Sequence, residues 1–86
     1  MELKRGQVVR SAAGRDQGDW QAVLTVNPPW ATVCDGKARP LERPKRKKLR
    51  HLAPTATLLP QEALSTNRKL RAALREFCRQ AEDKEP

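Results

Sequence analysis

Short apolar segments separated by turn residues restrict the possible fold most strongly. From residue 20 to residue 26 every second position is apolar, which is typical of a β-strand with one buried face. Asn27-Pro28-Pro29 then ends this strand, because two prolines remove two backbone donors. Residues 30–34 are predicted to form the next strand, and residues 7–10 an earlier one.

Turn residues predict how these strands connect. Gly14 and Gly18 mark a loop over residues 12–18, and Asp35-Gly36 is a strong hairpin signal. The hairpin partner is predicted at residues 37–42, and a last short strand at 48–52. Four or five short strands predict a small, strongly bent barrel, since a flat sheet of this size would leave both edges and one face exposed.

The last third of the chain predicts a helix. Residues 53–60 lack periodicity and are interpreted as a linker between a barrel at 1–52 and a helix at 61–82, with a frayed tail at 83–86. Ser65, Thr66 or Asn67 can cap the helix. The apolar residues at helical spacing are Leu70, Ala73, Leu74, Phe77, Cys78 and Ala81. Within this stripe, Leu70, Leu74 and Phe77 are the candidate docking face, toward the barrel, a second copy or a protein partner.

The charge of the chain is concentrated in one segment. The 86 residues carry 18 basic and 10 acidic side chains, a net charge of +8, which favours a polyanionic partner. Eight basic residues between 37 and 51 face a single Glu42, so +7 of the +8 lies there. Such a run is usually a solvated loop or tail. Here Pro40 and Pro44, with interspersed leucines, favour a basic strand held against a core.

Several classes of protein are excluded or disfavoured by the same composition. A chain of 86 residues is too short for a large multi-domain enzyme. With one histidine and no CxxC spacing we expect no metal site, cofactor or catalytic centre. No apolar run is long enough to cross a bilayer, and no secretory signal is apparent, so a cytoplasmic location with reduced Cys34 and Cys78 is expected.

Two segments of the chain resemble a known family. Residues 6–18, followed by the alternating strand, resemble a KOW motif with its central glycine at Gly14. Residues 34–41 and 44–52 are similar to small bacterial KOW-domain RNA-binding proteins, relatives of archaeal and eukaryotic large-subunit ribosomal proteins. The likeness covers residues 2–52. It implies an SH3-like barrel that binds RNA, although Gln17 replaces a lysine common in KOW sequences.

The predicted function is therefore non-catalytic binding of structured RNA, plausibly ribosomal. Arginines can fork onto phosphates or stack on bases, and lysines contribute through counterion release. The candidate RNA-binding residues are Arg10, Ser11, Arg15, Lys37, Arg39, Lys45, Arg46, Lys47, Lys48, Arg50 and His51, with Gly14 allowing a close approach of its loop. Trp20 and Trp30 could stack on bases, but each begins an apolar strand and the chain has only one other aromatic residue, a phenylalanine, so both are predicted to lie in the core.

Two other functions are compatible with the sequence. A protein-interaction adaptor would dock through the C-terminal helix and meet an acidic surface with its basic segment. DNA binding is a weaker third possibility, which competition between RNA and duplex DNA at one salt concentration would separate.

Overall fold

The computed structural model describes residues 2–83, which form five strands and one α-helix. These are β1 (Gln7–Ser11), β2 (Trp20–Asn27), β3 (Trp30–Cys34), β4 (Lys45–Lys48), β5 (Leu52–Leu58) and α1 (Asn67–Asp83). The strands make one antiparallel sheet in the order β4-β3-β2-β1-β5. The prediction of a small, mainly β domain of four or five strands followed by a C-terminal helix is confirmed.

Both faces of the sheet are buried at its centre. Cross-strand pairing aligns Val8 with Ala22 and Ala22 with Cys34, and this face packs against α1. The opposite face forms a second apolar cluster of Val9, Val23, Ala31, Val33 and Leu52. The prediction that residues 20–26 bury one face only is therefore wrong, because Gln21 and Val23 on the other face are fully buried as well.

The Asp35-Gly36 pair does not make the predicted hairpin, and residues 37–42 are not a strand. A type I′ turn needs positive φ at both central residues, but only Gly36 has it, with φ of 79°. The Asp35 carboxylate instead accepts the backbone N–H groups of Lys37 at 2.8 Å and Arg39 at 2.9 Å. This local closure makes a loop, so the antiparallel partner of β3 is supplied later, by β4.

The predicted strand at 48–52 and the predicted linker at 53–60 are also corrected. The strand β4 ends at Lys48, a 3₁₀ turn follows over Leu49–His51, and β5 then pairs with β1. Pro54 is tolerated because β5 lies at the sheet edge, where a missing backbone donor costs little. Most of the predicted linker, residues 53–58, is thus part of the sheet.

The helix is shorter than predicted. A 3₁₀ turn over Gln61–Leu64 precedes it, and the Thr66 hydroxyl caps α1 by accepting the backbone N–H of Lys69 at 3.1 Å. Asp83, predicted to begin a frayed tail, belongs to α1, and residues 84–86 of that tail lie outside the described residues. Between residues 2 and 83, no helix combines the length and apolar character that crossing a membrane requires.

The apolar stripe of α1 packs on the sheet of its own chain. Leu70 is completely buried and Leu74 nearly so, in the cluster that contains Val8 and Ala22, and Phe77 packs at its border. The loop before β4 approaches the helix closely at Gly36, where a Cβ atom would lie 2.4 Å from the backbone oxygen of Asn67. From the sequence, this stripe could dock on the barrel, on a second copy or on a protein partner. In the structure it packs on the barrel of its own chain.

Candidate nucleic-acid interface

The basic strand β4 divides its side chains between two faces of the sheet. It is an edge strand, paired with β3 on one side only, in the register Trp30↔Lys48, Thr32↔Arg46 and Ala31↔Lys47. Because side chains alternate along a strand, Arg46 and Lys48 share a face with Trp30, while Lys47 shares the inner face with Ala31. Lys45 and Arg46 are exposed, Lys48 is half-buried, and Lys47 is buried.

Trp30 is a surface ring among cations. The guanidinium carbon of Arg46 lies 4.3 Å from the centroid of the Trp30 ring, and the Lys48 ammonium lies 5.5 Å from it, both within cation–π range. Trp30 is half-buried and belongs to neither apolar cluster. The prediction that Trp30 lies in the core is therefore wrong.

Trp20 is half-buried like Trp30, but it lies at the border of the core, so its predicted core position is confirmed only in part. It packs against the cluster beneath α1, and its ring meets that of Phe77 edge to face with 5.0 Å between centroids. The Arg10 guanidinium lies 5.2 Å from the Trp20 ring and donates to the Gly18 carbonyl oxygen at 3.1 Å. Arg10 thus lies at the Trp20 end of the sheet face, away from Trp30.

Lys47 connects β4 to the loop that contains Gly14. Its ammonium donates to the Ser11 hydroxyl and, at 2.8 Å, to the Ala13 carbonyl oxygen. Gly14 has φ of 81°, and a Cβ atom there would lie 3.7 Å from the Lys47 ammonium. Glycine is therefore required at position 14 for its backbone conformation rather than for lack of space.

A buried carboxylate neutralises the inner cations. Asp16 accepts a fork from Arg39, Nε at 3.1 Å and Nη2 at 3.3 Å, and a hydrogen bond from Gln21 Nε2 at 3.3 Å. The Lys47 ammonium lies 3.9 Å away. Burial acts to raise the pKa of Asp16, but the hydrogen bonds from Arg39 and Gln21 and the charges of Arg39 and Lys47 together lower it below its ordinary value.

Three of the predicted RNA-binding residues therefore serve the interior. Ser11 is 2% exposed and Lys47 is 8% exposed, and they bond to each other. Arg39 is half-buried and committed to Asp16.

A groove collects part of the predicted set. It runs between the Gly14 loop and β4, and it is lined by Ala13, Gly14, Trp30, Lys45, Arg46, Lys47, Lys48 and His51. Among the residues that the structure describes, no acidic side chain lines it. Lys45, Arg46 and Lys48 thus face the groove without a carboxylate among its walls, so an anion entering it meets three uncompensated cations beside an aromatic ring. We call this surface the β4 groove.

The remaining predicted residues lie elsewhere. Arg15 is exposed on the Gly14 loop but outside the lining of the β4 groove. Arg50 lines a neighbouring depression with Pro29. Lys37 lines a third groove beside α1, together with Arg71 and Arg75, and there Asp19 and Asp35 offset the positive charge.

No protein-family model matches the chain, and no curated protein matches it. Its chemistry is thus inferred from its own residues. Within the described part of the chain, no group of three or more His, Cys, Asp or Glu side chains is placed to hold a metal ion.

Proposed function

We propose that this chain is a non-catalytic RNA-binding protein that holds structured RNA in the β4 groove. The observation that carries the proposal is a groove in which Arg46 and Lys48 lie close to Trp30 and Lys45 joins them in the lining, with no acidic side chain of the described residues among its walls. Phosphate groups bind clustered cations favourably because counterions are released, and unpaired bases can stack on an accessible aromatic ring.

The resemblance of residues 2–52 to small bacterial KOW-domain RNA-binding proteins supports the same function. The Gly14 loop, which carries that resemblance, forms one wall of the groove. The resemblance extends the proposal to a cytoplasmic protein with an SH3-like barrel that acts in translation, on ribosomal RNA or the ribosome.

The adaptor alternative receives less support. Its candidate docking face, Leu70, Leu74 and Phe77, is covered by the sheet of the same chain. A partner docking there would first have to displace the helix from the core.

Paired charge removals test the proposal. Lys45→Gln with Lys48→Gln removes two groove cations, and Arg68→Gln with Arg75→Gln removes the same charge from exposed positions on α1. Among the described residues, the side chains of Arg68 and Arg75 make no hydrogen bond or ion pair. A stem-loop RNA is the probe, with affinity measured by fluorescence anisotropy at several salt concentrations.

The groove pair is expected to lose about tenfold in affinity at low salt, and its salt slope should fall by about one to two. The helix pair should change affinity by less than about twofold. If both pairs lost the same affinity, the groove lysines would contribute no more than other exposed basic residues. That result would contradict the proposal.

A further inference from the structure

We infer that Trp30 is a stacking platform for an unpaired base, so that the β4 groove prefers single-stranded segments of RNA over continuous duplex. This inference rests on the proposed function and names the kind of RNA that the groove takes. Trp30 is the aromatic side chain that the groove presents, and α1 does not cover it.

The position of Trp30 is poorly explained by folding alone. The ring contributes to neither apolar cluster, and Trp20 already fills the aromatic position beneath α1. A tryptophan kept half-buried among cations leaves apolar ring surface at the protein exterior. A base stacked against the ring would cover that surface, and base–aromatic stacking accepts any base because every base has a π-face.

The cations around the ring are arranged for a nucleotide rather than for a simple anion. Arg46 lies over the ring, and a planar guanidinium can itself stack on a base or continue a stack. Lys48 lies two strand positions from Arg46 and pairs directly with Trp30, and Lys45 immediately precedes Arg46. Both lysines line the same groove, where they can meet the phosphates on either side of a stacked base. A base on the ring and phosphates on the lysines would thus be held together.

A second depression borders the same ring and supplies hydrogen-bonding groups. It is lined by Thr25, Asn27, Trp30, Ala31, Thr32 and Arg46. The hydroxyls of Thr25 and Thr32 lie 2.7 Å apart, and Asn27 is exposed. These polar side chains lie beside the ring, where the edge of a stacked base would project.

Continuous duplex RNA has no exposed base face that could stack on Trp30. Its bases stack on one another, so their faces are not accessible. The deep, narrow major groove also prevents side chains from reaching the base edges. Lysines of the groove can still meet duplex phosphates. Trp30 should therefore contribute to binding of unpaired RNA and contribute little to binding of duplex.

The experiment compares oligo(U) of about 12 nucleotides with a blunt RNA duplex of equal length. The proteins are the parent, Trp30→Ala, Trp30→Phe, and the Lys45→Gln, Lys48→Gln pair. A Trp20→Phe variant leaves Trp30 as the single tryptophan, so its emission reports stacking directly. Circular dichroism and the thermal unfolding midpoint monitor the fold of each variant.

We expect Trp30→Ala to lose at least about fivefold in affinity for oligo(U), with Trp30→Phe intermediate and duplex affinity changed by less than about twofold. Saturation with oligo(U) should quench Trp30 emission in the Trp20→Phe protein. If Trp30→Ala does not fold, this quenching and the Trp30→Phe affinity decide the question.

Unchanged Trp30 emission, or equal losses of oligo(U) and duplex affinity in the Trp30 variants, would overturn the stacking inference. If the lysine pair still weakened binding to both RNAs, the proposed function would survive that failure. A parent protein that binds neither RNA would contradict both.

Discussion

The ammonium of Lys47 donates a hydrogen bond to the backbone carbonyl oxygen of Ala13 at 2.8 Å, joining the basic strand to the glycine loop on the opposite side of the groove. Lys47 is 8% exposed, in the middle of a run whose neighbours reach the surface. One lysine of the run therefore builds the groove, and the residues on either side of it face its interior. The two roles can be separated by mutation.

Lys47→Met should lower the free energy of unfolding by about 2 kcal/mol, because it removes the two hydrogen bonds that the buried ammonium donates to the Ser11 hydroxyl and the Ala13 carbonyl oxygen. Asp16 keeps its Arg39 partner in this variant. Lys45→Met, at an exposed position of the same strand, should change stability by less than about 0.5 kcal/mol. Urea unfolding of the two variants makes the comparison, and equal effects would show that Lys47 is not structural.

Acid should weaken the fold through Asp16. Its folded pKa lies below the ordinary value of 3.8, so the carboxylate contributes stability that is fully present above 3.8 and is lost as the pH falls from there through the lower folded pKa. Asp16→Asn should lower the free energy of unfolding by about 3 kcal/mol at pH 7, because Lys47 and Arg39 then face each other without their anion.

The pH dependence gives the matched test of Asp16. Urea unfolding of parent and Asp16→Asn, repeated from neutral pH down to below pH 4, should show the two stabilities converging in acid. A constant difference across that range would mean that the carboxylate does not act through its charge.

The helix should be indispensable to the fold rather than an appended docking element. Leu70→Ala should destabilise the protein by about 2 to 5 kcal/mol, since Leu70 is completely buried against the sheet. Arg75→Ala on the exposed side of α1 is the control and should cost less than about 0.5 kcal/mol. A truncated chain lacking residues 67–86 that still unfolded cooperatively would contradict this account of the core.

The Cys34 thiol should be inert in the folded protein. Burial, followed by the charge of Asp35, raises its pKa to about 12, so almost no thiolate is present at pH 8. In a Cys78→Ser variant, a thiol-exchange reagent should react only after denaturant is added. Reaction of the native variant at the rate of a free thiol in solution would contradict the buried position of Cys34.

The elements that were predicted correctly are those whose own residues carry a clear pattern. The alternation in β2, the β-branched residues of β1 and the apolar stripe of α1 each suffice to predict a strand or a helix. Residues 53–60 lack a clear alternation, and β5 exists because β1 offers an unpaired edge. That edge depends on the whole sheet and cannot be read from the segment itself.

In the candidate site, too, some features follow from the local sequence and others depend on the rest of the fold. Net charge predicted which segment is basic, but that Lys47 turns inward while Arg46 and Lys48 do not follows from the pairing of β4 with β3 and from the distant carboxylate of Asp16. Trp20 and Trp30 begin similar strands, and only the position of Phe77 on α1 decides which ring is covered. The position of the Trp30 ring outside both apolar clusters therefore had no local signal.

The location of the RNA is tested most directly by titrating isotope-labelled protein with a stem-loop RNA and following its backbone and indole N–H resonances. The largest shifts should fall on Ala13, Gly14, the Trp30 indole and Lys45–Lys48, with little change at the exposed residues Arg68, Arg71 and Arg75 of α1. Shifts centred on α1, or spread evenly over the basic surface, would contradict a binding site in the β4 groove.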